Sequence, residues 1–167
     1  GGKTYLVEPA VLEQYYYAKG LALLKSGKNA EGAAYLAKMS ELGKEKIYTG
    51  KDSSKTKVYY VGKAAADQSG IQGLKEDTYV PVLTSRIGNT INPLIEAANK
   101  TAMNAYTAKN YAAAAPKFKE VYDLLKAGGQ DNKQYLYYSG LNYALAEKKD
   151  EAIDVYNQLI DSGYTGV

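Results

Sequence analysis

Apolar residues recur with a helical period along most of the chain. From Ala10 to Lys25, Leu12, Tyr16, Gly20 and Leu23 fall on one face of a helix that Gly27 stops. Asn29 has the chemistry of an N-cap for a second helix, carrying Ala33, Leu36, Ala37 and Leu42 and ended by Gly43. Asn92-Pro93 reads as N-cap and first helical position of another, continued by Leu94, Ile95, Ala98, Ala102 and Ala105. Asn110 caps the next, which holds Ala114, Phe118, Val121, Tyr122 and Leu125, with Pro116 inside it predicting a local kink. Gly128-Gly129 closes it. Asp131 and Gln134 have capping-box spacing before Leu136, Gly140 and Tyr143. Asp150 and Glu151 suit the start of a last helix with Ala152, Val155, Tyr156, Leu159 and Ile160, stopped by Gly163. The stretch from Tyr79 to Ile91 has helical character interrupted by Pro81 and Gly88.

The period fades between residues 44 and 78. Ile47-Tyr48 and Lys57-Val58-Tyr59-Tyr60-Val61 are β-prone, and the turn-rich Gly50-Lys51-Asp52-Ser53-Ser54 lies between them. Two readings stand side by side, a small hairpin and a basic loop. Charge marks the same region: residues 44 to 63 hold six lysines against two acids, so the net +3 of the chain resides there.

The helices also repeat. Gly20, Ala102 and Gly140 are small residues on the first helix of three successive pairs. Twelve residues after each come Gly32, Ala114 and Ala152, then bulky Leu36, Phe118 and Tyr156, then apolar Met39, Val121 and Leu159. Small residues let paired helices approach, and the bulky ones fill the space beside them. At about 34 residues per unit, this pattern resembles the tetratricopeptide repeat (TPR) family. The resemblance implies a mainly all-α fold: antiparallel helix pairs forming a short right-handed solenoid, interrupted by the basic loop or hairpin. It divides the chain into a helix pair over 1–46, the insert over 47–78, and a lead-in with two more pairs over 79–167, together one compact domain. The Tyr/Lys/Ala-rich style is similar to TPR proteins exported to the envelope of Gram-negative bacteria, which implies a periplasmic or outer-membrane-associated location.

Composition narrows the chemistry. There is no His and no Cys, so imidazole bases, disulfides and thiolate metal sites are excluded. Eighteen tyrosines stand against one Phe and no Trp. Tyr-x-x-x-Lys pairs occur at Tyr15/Lys19, Tyr59/Lys63 and Tyr122/Lys126, but this composition yields about two by chance. Ser54-x-x-Lys57 lacks the partner motifs of serine acyl-enzymes. No catalytic residue, cofactor site or metal site is expected. Arginine, the residue of bidentate phosphate and guanine recognition, occurs once, at Arg86, so no nucleic-acid partner is expected. No run is long enough to span a membrane.

What remains is surface. In TPR proteins the first helix of each pair lines a concave groove for peptides or partner helices. Carried over by position, the candidates are Tyr17, Leu21 and Leu24, then Asn99, Met103 and Tyr106, then Tyr137, Leu141 and Leu145. The carboxylate clamp of chaperone-binding members is not reproduced, because only Asn99 could serve in it. The expected function is therefore a non-catalytic scaffold for a protein or peptide partner. The alternative is a glycan- or peptidoglycan-binding module using exposed tyrosines. Tyr16, Tyr143 and Tyr156 take the core positions of the repeat. The sequence stops at Val167, just after the last helix, with no polar capping helix, which predicts weak self-association or instability through an uncovered end.

Overall fold

A computed structural model describes residues 4–5 and 7–165, with side chains from residue 7 onward. The protein is mostly helical, with one small antiparallel sheet. Strand β1 (Thr4–Tyr5) leads into helices α1 (Pro9–Lys25) and α2 (Asn29–Glu41). Strands β2 (Lys46–Lys51) and β3 (Lys57–Val61), helix α3 (Lys63–Gln68) and strand β4 (Lys75–Thr78) follow. A 3-10 turn (Leu83–Arg86) then leads to α4 (Gly88–Thr107), α5 (Tyr111–Ala127), α6 (Lys133–Leu145) and α7 (Lys149–Asp161).

Four hairpin-like helix contacts and one cross-contact build the helical part: α1 with α2, α4 with α5, α5 with α6, α6 with α7, and α2 with α5. Helix α5 is thus central, with α2, α4 and α6 all against it. Leu24, Ala33, Leu36 and Met39 of the first pair share one core with Ile87, Ile91 and Ala98 and with Val121, Leu124 and Ala127 of α5. Burying a side chain such as Leu36 fully contributes about 1.5–3 kcal/mol. The small repeat positions do what close approach requires. A Cβ on Gly20 would lie 2.7 Å from Leu36 Cγ, one on Gly32 2.8 Å from the Gly20 carbonyl, and one on Gly140 2.8 Å from Tyr156 Cε1.

The insert is a sheet, not a loop. β2 and β3 form the hairpin, β4 adds beside β2 and β1 beside β3, giving the order β1-β3-β2-β4. The turn is built by Asp52, whose Oδ1 accepts from the amides of Ser54 and Thr56 at 2.9 Å each, with Lys55 at φ 62°. Val58 and Tyr60 of β3 pack with Ala65 and Ala66 of α3, a helix that the fading periodicity did not anticipate. Its apolar side is only two alanines wide, too short to register as a period.

Several local expectations shift. Asn110 does cap α5, its side chain accepting from the Ala113 amide at 3.3 Å. Asp150 and Glu151 do occupy the first turn of α7. α4, however, begins five residues before Pro93, because Ile87 and Ile91 are drawn into the core and carry the helix start with them. Asn29 is the first residue of α2 and not its cap; its amide instead donates to Glu120 on α5 at 2.6 Å. The cap of α6 is Asn132, which accepts from the Gln134 amide, because Asp131 is engaged by the Tyr122 hydroxyl at 2.8 Å.

Candidate functional site

The expected groove residues separate into three groups. On α1 the inward stripe is Glu13, Tyr17, Gly20 and Leu24, one position round the helix from the Leu12–Tyr16–Gly20–Leu23 face read from the sequence. Leu24 is therefore buried, against the expectation that it lines a groove, because it fills the space beside Gly32. Tyr17 and Leu21 are half-buried against the same core. On α4, Asn99 is half-buried, whereas Met103 and Tyr106 are 47% and 44% exposed. The Tyr106 ring leans on that of Tyr111, centroids 6.0 Å apart. On α6, Tyr137 packs within its own helix pair, 6.5 Å from the Tyr156 ring and 6.3 Å from that of Tyr164. Leu141 is half-buried and Leu145 is 47% exposed. Three large side chains on the first helices of the last two pairs thus stay in water: Met103, Tyr106 and Leu145.

The tyrosines expected in the core, Tyr16, Tyr143 and Tyr156, are half-buried at its margin. Burial raises the pKa of Tyr143, with the Glu151 charge adding to it, and that of Tyr156, with Tyr137 adding to it. The fully buried rings are others: Tyr59 and Tyr60 in the sheet and Tyr122 on α5. Tyr122 is pushed far above the ordinary phenol range by burial first and by its bond to the Asp131 carboxylate second.

A cleft of about 490 Å³ runs between the start of α2 and α5, lined by Asn29, Glu31, Lys117, Lys119, Glu120 and Asp123 among others. Four of its charges are already paired, and Lys28 and Glu31 add one of each sign. Lys117 lies 2.8 Å from Glu120 and Lys119 lies 3.0 Å from Asp123. Burial raises the Asp123 pKa and the neighbouring Lys119 counters it. The Asn29 Oδ1 is buried without a hydrogen-bond partner, next to an amide that donates to Glu120. Such a self-compensated cleft joins two helix pairs and offers little net charge to a ligand.

Glu13 was missed altogether by sequence reasoning, because a Glu on an amphipathic helix reads as solvated. It is only 2% exposed. Its Oε1 accepts from the amides of Val82 and Leu83 at 2.6 and 2.7 Å, and its Oε2 accepts from the Tyr79 hydroxyl. This carboxylate ties the lead-in segment to α1. Burial first, and the bond to Glu13 second, push the Tyr79 pKa up to about 12.

Among the described residues no group of three or more acidic side chains comes together where it could hold a metal ion, and no helix is long and apolar enough to cross a membrane. No family model, curated protein or solved structure matches the chain.

Proposed function

We propose that the protein is a non-catalytic scaffold of TPR-like helix pairs that binds a protein partner through the first helices of its second and third pairs. The observation that carries this reading is the exposure of Met103, Tyr106 and Leu145 on α4 and α6, outside the stripes that these helices bury, Ile91, Ala98 and Ala102 on α4 and Leu136, Ser139 and Gly140 on α6. Large apolar and aromatic side chains of this kind supply the anchors of protein interfaces, with truncation of one anchor costing about 2 kcal/mol or more. Tyr106 gives a ring with a hydroxyl at its rim, and Met103 an adaptable thioether chain. Tyr17, Leu24 and Tyr137 take no part, since they are spent on packing.

The test is site-specific photo-crosslinking of the protein in its native cell. A crosslinker at Met103, Tyr106 or Leu145 should yield one common adduct, which the same group at Val82 does not. Met103→Asp with Tyr106→Asp should abolish that adduct, because the two charges would be buried at the contact. Unchanged adduct formation by this double variant would rule the face out.

A further inference from the structure

The residues of the basic insert do not scatter around a loop; the sheet register sorts them. In an antiparallel ladder, residues directly opposite share a face and alternate residues share it along each strand. Tyr48, Gly50, Val58, Tyr60 and Glu76 therefore face α3, where Val58 and Tyr60 are buried. Ile47, Thr49, Lys51, Lys57, Tyr59, Lys75 and Asp77 occupy the other face. There Lys51 stands directly opposite Lys57, and Lys75 stands opposite Thr49 one row away.

Two like charges opposed across a ladder repel. Among the described residues none of the three lysines forms an ion pair, in contrast to Lys63, Lys117, Lys119 and Lys133. The Lys57 ammonium rests 5.3 Å from the centroid of the Tyr59 ring, and its hydrogen bond to that residue raises its pKa. The three lysines line a hollow of about 420 Å³ whose other lining residues are Thr49, Gly50, Tyr59 and Asp77. Beside it, a second hollow of about 170 Å³ walled by Pro9, Ile47 and Tyr79 shares Thr49, Tyr59 and Asp77 with the first, so that the two lie along one trough.

Each end of this trough has its own chemistry. The outer end concentrates positive charge, three lysines against Asp77 in the hollow and Glu8 acting on Lys57 from nearby. The middle carries a carboxylate and a hydroxyl, Asp77 and Thr49, which together accept from and donate to vicinal hydroxyl groups. The inner end is apolar and aromatic. Addition of a peptide strand to the free edge of β4 fits less well. The Lys46 carbonyl accepts from the Gly62 amide on the β3 side, so Thr78 opposite it points its backbone outward. That outward amide is already taken by Asp77 Oδ1 at 2.8 Å. The edge is blunted in the manner of charged edge strands.

The geometry points to a binding site for an acidic sugar on this sheet face: its carboxylate or phosphate lies among Lys51, Lys57 and Lys75, and its hydroxyl groups meet Asp77 and Thr49. The saccharide is either free or a unit of an acidic polysaccharide. This site is separate from the face of Met103, Tyr106 and Leu145 and stands whether or not that face binds a partner.

The test is NMR titration of the whole chain with glucuronate, glucose 6-phosphate and trigalacturonate as probes, with glucose, inorganic phosphate and poly-glutamate as comparisons. The acidic sugars should shift the amides of Thr49, Lys51, Lys57 and Lys75 saturably, and glucose should not. Trigalacturonate binding at least about tenfold more tightly than glucuronate assigns a polymer as the source, and equal binding assigns a free sugar. Lys51→Gln, Lys57→Gln and Lys75→Gln should each weaken binding about tenfold, the value of one charge-assisted contact. Asp77→Asn should erase the preference for glucose 6-phosphate over phosphate. These side chains are exposed, so circular dichroism of the variants should be unchanged; if the triple variant melts early, the single variants decide. The proposal is overturned if phosphate or poly-glutamate binds as tightly as the acidic sugars, if glucose binds equally, or if the lysine variants bind like the parent.

Discussion

Replacing Glu13 by Ala would expose what this buried carboxylate contributes. Three donors converge on it: the amides of Val82 and Leu83 and the hydroxyl of Tyr79. Hydrogen bonds to a charged acceptor contribute about 1.5–3 kcal/mol each, and a buried donor left without a partner costs about 1–3 kcal/mol. Three bonds taken at face value would exceed the result, because the native state also bears the cost of holding a carboxylate out of water, several kcal/mol. The net loss expected for Glu13→Ala is about 2–4 kcal/mol, a large share of the stability of a domain this size. Glu13→Gln keeps one carbonyl oxygen for the two amides and turns its NH2 toward Tyr79, whose hydroxyl can accept as well as donate. It should cost less, about 1–2 kcal/mol. Urea unfolding followed by circular dichroism gives the global values. Hydrogen exchange at the Val82 and Leu83 amides gives the local one, and both should lose protection in the Ala variant before α5 does. If Glu13→Ala unfolds within about 0.5 kcal/mol of the parent and those amides remain protected, the latch is not a structural element and the reasoning fails.

Further outcomes follow from the same geometry. Alanine at Gly32 meets the Gly20 carbonyl at 2.8 Å, a backbone atom that cannot turn aside, so Gly32→Ala should be the costliest of the three glycine substitutions at about 1–3 kcal/mol. Gly20→Ala should follow and Gly140→Ala should cost least, since the half-buried Tyr156 ring can swing away; a reversed order in thermal melts would contradict the packing. The Tyr79 pKa is raised from 10.0 to about 12 on folding, so its stabilising contribution is complete below pH 10 and disappears as pH climbs through 12. Alkaline unfolding should accordingly show the parent losing its advantage over Tyr79→Phe across that window, and a constant gap would refute the assignment. Ile153 and Ile160, 55% and 65% exposed, lie seven residues apart on α7. If that stripe mediates self-association, Ile153→Lys with Ile160→Lys should lower the sedimentation coefficient at high concentration, and identical profiles would exclude it.

Periodicity and end chemistry carried the helical part of the fold. Hydrophobic residues at 3.6 spacing, Gly stops and Asn110 as a cap are local signals, and α1, α2, α5, α6 and α7 stand where these place them. The small-residue pattern was legible too, because close approach of two helices demands a missing side chain at Gly20, Gly32 and Gly140 whatever surrounds them. Rotation of a helix about its axis is a different matter. On α1 a polar residue, Glu13, faces inward, and its partners lie about seventy residues away, so no window of sequence reveals them. That rotation carries Leu24 into the core and leaves Tyr17 and Leu21 half-buried against it. The lysines of the insert follow the same logic. Their number and sign are plain in the chain, but only the pairing of β2, β3 and β4 decides that Lys51, Lys57 and Lys75 share one side with Thr49 and Asp77. Composition thus determined which chemistry the protein can draw on, and local pattern determined its helices. Which side chains meet, and which remain in water, was decided by long-range contacts, because each of those pairings depends on register and rotation that neighbours in sequence leave free.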